Sequence, residues 1–259
     1  MPYIQINDMN MYYETEGKGG NLIFLHGGLV SSSQWQSMIQ GFADQFCVYS
    51  LDSRGHGKSD NPSENLNYRM MADDVVAFVK EMKLETPLVV GWSDGGQIAL
   101  ELGMHNSELF SGLVIGAAWH SLADELIAFV KSFGFMAPGE VNHEQMCQVL
   151  ESAGVLDSFV ESHSGGLEQL YAVADALSVP WLTDLNYQTD DFARITIPIL
   201  ILQGDRDAAI PLAQAVHMYD AIDRAELAVI PNAGHSLPLT HPEQFIATVR
   251  DFASRHMAS

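Results

Sequence analysis

The chain has 259 residues, with 12 Lys+Arg against 33 Asp+Glu and therefore a formal net charge of −21. That charge repels nucleic acid and anionic membrane surfaces, and most of it reads as solvated surface that keeps a protein soluble. The 47% hydrophobic content supplies a sizeable core, while the longest apolar runs, such as Ile197 to Leu202, are strand-length and too short to span a membrane.

The N-terminus, Met1 to Glu16, alternates and breaks like a pair of strands, without the basic and apolar regions of a secretory signal. Strand-like runs follow in chain order at Tyr3 to Ile6, Met11 to Glu14, Leu22 to His26, Cys47 to Leu51, Leu88 to Trp92, Ser111 to Gly116, Ile199 to Gln203 and Ala225 to Ile230. Several are near-continuous in Val, Ile and Leu, as expected of strands buried on both faces of a parallel sheet. Helical patterns lie between them, at Gln34 to Ala43, Tyr68 to Lys83, Gln97 to His105, Leu212 to Ile222 and Pro242 to Ser254. In the second of these, Met71, Val75, Phe78, Val79 and Met82 form an apolar stripe. The alternation predicts an α/β chain with right-handed crossovers and an open twisted sheet.

One interval breaks the pattern. From Trp119 to about Asp191 the chain reads as helical and aromatic-rich, punctuated at Pro138-Gly139 and Gly165-Gly166. It is predicted as a helical cap, residues 119–191, inserted after the sixth strand into a core domain of residues 1–118 and 192–259. Cys47 and Cys147 form no disulfide framework and read as small buried hydrophobes in a reducing, cytoplasmic setting.

The chemistry is concentrated after the strands. Val89-Val90-Gly91-Trp92-Ser93-Asp94-Gly95-Gly96 reads as strand, Gly-x-Ser-x-Gly, then helix, the form of a strained turn that lifts a serine hydroxyl into a site. A serine becomes a useful nucleophile only when a base takes its proton and a third group holds that base. An acid and then a histidine follow late strands in that order. Gly204 to Pro211 carries Asp205 and Asp207, and Pro231 to Pro238 carries His235. Either aspartate could serve as the acid. In an open α/β sheet such loops converge beyond the carboxyl ends of the strands. His26-Gly27-Gly28, after the third strand, can present a backbone N–H to a developing oxyanion, most naturally from Gly28, and Asp94 supplies a second.

Five stretches together carry a resemblance: HGG at His26 to Gly28, LDSRGHGKSD at Leu51 to Asp60, GWSDGG at Gly91 to Gly96, GDRDAAIP at Gly204 to Pro211 and AGHSLPLTHPEQF at Ala233 to Phe245. End to end, the chain resembles the α/β-hydrolase fold family. The resemblance implies a mostly parallel, twisted eight-stranded sheet flanked by helices, with Ser93 as nucleophile, Asp207 as acid, His235 as base, and Gly28 and Asp94 at the oxyanion hole. Members that carry aspartate as nucleophile, the haloalkane dehalogenases and epoxide hydrolases, are excluded by Ser93.

The resulting expectation is a serine hydrolase, a carboxylesterase by type, cleaving a small carboxylic ester or lactone through an acyl-enzyme. No metal and no organic cofactor are expected, nor a nucleic-acid or membrane partner, and the assembly is expected to be a monomer or homodimer. Other outcomes on the same residues are carbon–carbon bond hydrolysis of vinylogous diketones, cofactor-free perhydrolysis, and a ligand receptor built on the hydrolase fold. GWSDGG is also similar to aminoacyl-ester hydrolase members, in which case Asp94 would attract a cationic α-amine; the plainer reading is a carboxylate favoured by the helix dipole. Trp92, Asp94, Trp119 and Trp181 are the expected substrate-binding residues. His26 reads as a brace of the HGG loop, and Arg54, His56 and Asp60 as a loop-fixing network.

Overall fold

The computed structural model describes residues 2–185 and 187–257. The chain opens with β1 (Tyr3–Ile6), β2 (Met9–Gly17) and β3 (Gly20–Leu25), then α1 (Gln36–Ile39), β4 (Phe46–Leu51) and α2 (Tyr68–Glu81). It continues through β5 (Leu88–Trp92), α3 (Asp94–Asn106) and β6 (Gly112–Gly116). A long interval follows with α4 (Asp124–Ser132), a hairpin of β7 (Phe135–Ala137) and β8 (Glu140–Val141), α5 (His143–Ser152), α6 (Leu156–Glu161), α7 (Gly166–Trp181) and α8 (Thr189–Phe192). The sheet resumes with β9 (Ile199–Gly204), α9 (Leu212–Ala221) and β10 (Ala225–Ile230), and the chain closes on α10 (Leu237–Thr240) and α11 (Pro242–His256).

Eight strands form one sheet in the order β1-β2-β4-β3-β5-β6-β9-β10. β2 runs antiparallel to both β1 and β4, and the remaining pairs are parallel. The expected α/β-hydrolase sheet is present. The apolar runs explain its interior: β5, β6 and β9 are buried at every residue because helices cover both faces, whereas β10 at the edge is mostly half-buried. From β3 the strand order departs both ways, to β4 on one side and β5 on the other, which creates a crevice at the carboxyl ends.

Four local expectations change. β2 is longer than the run Met11 to Glu14, because its first half pairs with β1 and its second half with β4. The expected helix Gln34 to Ala43 is a 3-10 turn, Ser32–Trp35, and the single turn α1. It stops at Gly41, where a Cβ would stand 2.7 Å from Ile246 Cδ1, so α11 packs across the chain at that point. The interval between β6 and β9 is not helical throughout, since Gly139 at φ 78° turns the β7–β8 hairpin. Cys47 and Cys147 are free but half-buried, with Cys147 Sγ 3.4 Å from the Tyr171 hydroxyl, so neither is the fully buried hydrophobe expected.

One seam between the helical interval and the core lies at the 55–57 loop. Ser164 N donates to the Gly57 carbonyl at 3.0 Å, and Gln169 Nε2 donates to the carbonyls of Gly55 at 2.8 Å and Gly57 at 3.0 Å. Beside them, buried His163 and His56 lie with ring centroids 6.0 Å apart, and burial holds both imidazoles below the usual histidine range. No helix among the described residues is long and apolar enough to cross a membrane.

Candidate active site

β5 ends at Trp92 and α3 begins at Asp94, so Ser93 alone makes the turn. Its backbone sits at φ 56° and ψ −117°, a conformation that costs a non-glycine residue about 1–3 kcal/mol. The strand and helix cross so closely that a Cβ on Gly91 would stand 2.0 Å from the Gly95 carbonyl oxygen. Ser93 is half-buried, and its side chain makes no capping bond to α3. The hydroxyl is turned out instead.

It meets a histidine. Ser93 Oγ lies 3.0 Å from His235 Nε2, and His235 Nδ1 lies 2.9 Å from Asp207 Oδ2. His235 comes from the loop after β10 and Asp207 from the loop after β9. With the Nδ1 proton directed at the carboxylate, Nε2 carries the lone pair that faces the serine. The side chain of Asp207 is buried, although the residue as a whole is half-buried, and burial pushes its carboxyl up. The opposing effects win: contact with His235 and the N–H groups of Ile210 and Ala209, both 2.9 Å from Oδ1, hold it below the usual carboxylate range. Gln203 Nε2 adds a bond to Oδ2 at 3.1 Å. Asp205 makes no such contact; it lies beside Arg206 at 3.6 Å.

The loop after β3 faces the elbow. His26 Nδ1 bonds the Gly27 carbonyl at 2.7 Å, and its Nε2 accepts from Ser53 N at 3.0 Å, so the ring is neutral and braces the loop as expected. Burial lowers its pKa in the same direction. Gln34 Oε1 holds the Gly27 N–H at 2.9 Å, and a Cβ on Gly27 would stand 3.4 Å from Ser93 Cβ. Gly28 follows directly and lies against the side chain of Asp94. Arg54 is clamped by Asp74 at 2.8 and 2.9 Å, His56 Nδ1 bonds the Arg54 carbonyl at 2.9 Å, and Asp60 accepts from Asn10 N at 2.9 Å. These three do fix loops.

Asp94 is the second notable group. It is 2% exposed, and its Oδ1 accepts from Trp181 Nε1 at 2.9 Å and from the Tyr68 hydroxyl at 3.0 Å. Its Oδ2 is buried with no hydrogen-bond partner. Burial pushes its carboxyl up to about 6, against the pull of Trp181, Tyr68 and His235. A carboxyl raised on folding stabilises the fold below about pH 4, and that contribution is lost as pH rises through about 6. Asp94→Asn removes the titration. Its melting temperature relative to wild type is expected to rise between pH 4 and pH 7, with about 2–3 kcal/mol at stake. Thermal unfolding at both pH values measures this, and a pH-independent difference would rule out burial of the charge as the cause.

Of the other expected substrate-binding residues, Trp181 lies against Gly28 and Asp94, and Trp119 lies edge-on to Tyr68 with centroids 5.7 Å apart. Trp92 is corrected. It is 2% exposed, its Nε1 donates to the His235 carbonyl at 2.8 Å, and its ring packs edge-on to Phe245. It supports the His235 loop. Tyr68, Gln203 and Gln34 were not anticipated, because each acts through a partner that sequence spacing does not reveal. A cavity of about 690 Å³ between the 55–66 loop and α7 is lined by Lys58, Leu66, Gln169 and Val173, and by none of the three relay residues.

Comparison with known proteins identifies the family. The model of the alpha/beta hydrolase family matches residues 22–248. The chain is 26% identical to a pimeloyl-[acyl-carrier protein] methyl ester esterase of Nitrosomonas europaea, over 92% of this chain and 97% of that one. It is 24% identical to a 2-hydroxy-6-oxo-6-(2'-aminophenyl)hexa-2,4-dienoic acid hydrolase of Metapseudomonas resinovorans, over 98% and 90%. A solved structure described as an N-acyl homoserine lactone degrading enzyme superposes with TM-score 0.76 at 25% identity, over 97% and 100% of the two chains. The family model covers most of the chain, from within β3 to within α11, and the chain belongs to the alpha/beta hydrolase family.

Proposed function

We propose that the protein is a serine hydrolase of small carboxylic esters or lactones, working through an acyl-enzyme on Ser93. The observation that carries this reading is the continuous contact Ser93 Oγ–His235 Nε2–Asp207, at 3.0 and 2.9 Å, on a strained turn beside the Gly28 loop. His235 takes the Ser93 proton as Oγ attacks the carbonyl carbon. The oxyanion is received by the N–H groups of Gly28 and Asp94, where one such donor is worth roughly 3–4 kcal/mol. His235 then passes its proton to the leaving oxygen, and a water deprotonated by the same ring releases the acid. Asp207 keeps the ring oriented and offsets its positive charge.

In this reading residues 119–191 form a lid over the core of residues 1–118 and 192–259, through the seam at Gly55 and Gly57. Two unpaired thiols suit a reducing cytoplasm, and a monomer or homodimer suffices because all three relay residues come from one chain.

A panel of p-nitrophenyl esters, lactones, a dienoate diketone and peracid formation tests the class. Multiple turnover on an ester or lactone is expected. Turnover confined to the diketone would place the relay in carbon–carbon hydrolysis, and turnover confined to peracid formation in perhydrolysis. A single slow turnover with retained product would identify a receptor.

One observation favours a narrower acyl group. The unpartnered Oδ2 of Asp94, buried beside Gly28, calls for a donor from the substrate, as the α-amine of an aminoacyl ester would provide. Asp94→Asn is expected to lower kcat/KM on an amine-bearing ester about tenfold more than on its neutral match, about 1.4 kcal/mol. Equal losses on both esters would remove this reading.

A further inference from the structure

We propose that Trp181, seated by Asp94, sets acyl-chain length in this site, admitting short acyl groups and excluding long ones. The proposal rests on the ester-hydrolase reading, because that reading fixes where each part of a substrate lies. His235 must reach the leaving oxygen to protonate it, so the alcohol portion lies on the His235 side of Ser93. The carbonyl oxygen turns toward the N–H groups of Gly28 and Asp94. The acyl chain then leaves the carbonyl carbon on the side away from His235, along the Gly28 loop.

That side is roofed. A Cβ built on Gly28 would stand 2.4 Å from Trp181 Cζ2 and 2.7 Å from Asp94 Oδ2, so the indole lies directly on the loop. The indole is held from two directions. Its Nε1 donates to Asp94 Oδ1 at 2.9 Å, and its ring leans on Phe135, with centroids 4.7 Å apart. Phe135 is itself fully buried in the β7–β8 hairpin, so the backing is firm.

Asp94 is fixed in turn. Tyr68 donates to the same Oδ1 at 3.0 Å, and Tyr68 is the first residue of α2, whose start is set by the Asn67 side chain accepting from Met70 N at 2.8 Å. One carboxylate oxygen thus joins a core helix to the last turn of α7. Pro180, inside that turn, lacks the N–H that would otherwise continue the helix ladder. Beyond its helix, the Trp181 side chain is held by the Asp94 bond and the Phe135 contact. Asp94 acts here through Trp181 and is a positioning residue; Trp181 is the group that meets the chain.

The test uses p-nitrophenyl acetate and octanoate, read as the octanoate-to-acetate ratio of kcat/KM. Alongside it runs the labelling of Ser93 by p-nitrophenyl phosphonates bearing a methyl or a hexyl group, which needs no turnover. Wild type is expected to favour acetate over octanoate, and methyl over hexyl, by at least about tenfold. Trp181→Ala is expected to raise both long-to-short ratios by at least about tenfold, chiefly through KM for octanoate. Asp94→Ala is expected to do the same, whereas Asp94→Asn, whose amide oxygen still accepts from both donors, keeps the ratios near wild type. In the double variant Asp94→Ala/Trp181→Ala, the ratios are expected to equal those of Trp181→Ala, since one residue acts through the other.

A merely structural role for Asp94 would lower both esters together and leave the ratios unchanged. Wild type preferring octanoate and hexyl, or Trp181→Ala leaving both ratios unmoved, overturns the proposal. A protein that is labelled by the phosphonates but turns over no ester loses the ester-hydrolase reading, while its methyl-to-hexyl ratio still decides the roof.

Discussion

Ser93→Ala is expected to lower kcat on p-nitrophenyl acetate by about four to six orders of magnitude with the fold intact. The size follows from what the hydroxyl does. In the proposed mechanism there is no acyl-enzyme without Oγ, and the residual rate comes only from the N–H groups of Gly28 and Asp94 acting on attack by water. The fold should survive because alanine accepts the same φ of 56° at a similar cost and removes only the 3.0 Å contact to His235. His235→Ala is expected to cost a comparable factor, and the double variant little more than either alone, since the groups act as one unit. Steady-state kinetics with thermal unfolding of each variant measures both halves. A loss below about a hundredfold for Ser93→Ala would remove Ser93 as nucleophile.

The parts of this site that local sequence can carry were legible. Ser93, Asp207 and His235 each follow an apolar strand and sit in a short glycine- or proline-marked loop, so their order along the chain was enough to nominate them. The choice between Asp205 and Asp207 was open from spacing alone, since both lie on one loop; the structure puts only Asp207 within reach of His235. The direction of the Trp92 ring was not legible, for a different reason. It ends a strand buried on both faces, so no polar alternation shows which way its ring points. Tyr68 and Trp181 meet at Asp94 across separations of 26 and 87 residues, and only tertiary packing brings them together. The β7–β8 hairpin was hidden because Phe135 to Ala137 is a short apolar run, for which periodicity cannot separate strand from helix.

Close packing around the elbow produces the second large effect. Gly95→Ala is expected to destabilise the fold by at least about 3 kcal/mol, lowering the melting temperature by about 6–12 °C or preventing folding altogether. Gly95 lies in the first turn of α3, and an added Cβ would stand 2.1 Å from the Leu25 carbonyl oxygen, 2.6 Å from its carbon and 2.9 Å from the His26 carbonyl oxygen. All three are backbone atoms, of the last residue of β3 and the residue after it, so no side chain can rotate away. Relief requires α3 to part from β3, which would pull Ser93 and Asp94 away from the Gly27–Gly28 loop. Activity and stability should therefore fall together. Gly154→Ala is the informative comparison: its φ of 71° is strained for alanine, but nothing lies within 4 Å of the added carbon. That variant is expected to lose only about 1–2 kcal/mol and to keep its activity. Gly95 is helical and carries no such backbone strain, so a loss at Gly95 no larger than at Gly154 would remove the close approach of α3 to β3 as the reason for glycine at the elbow.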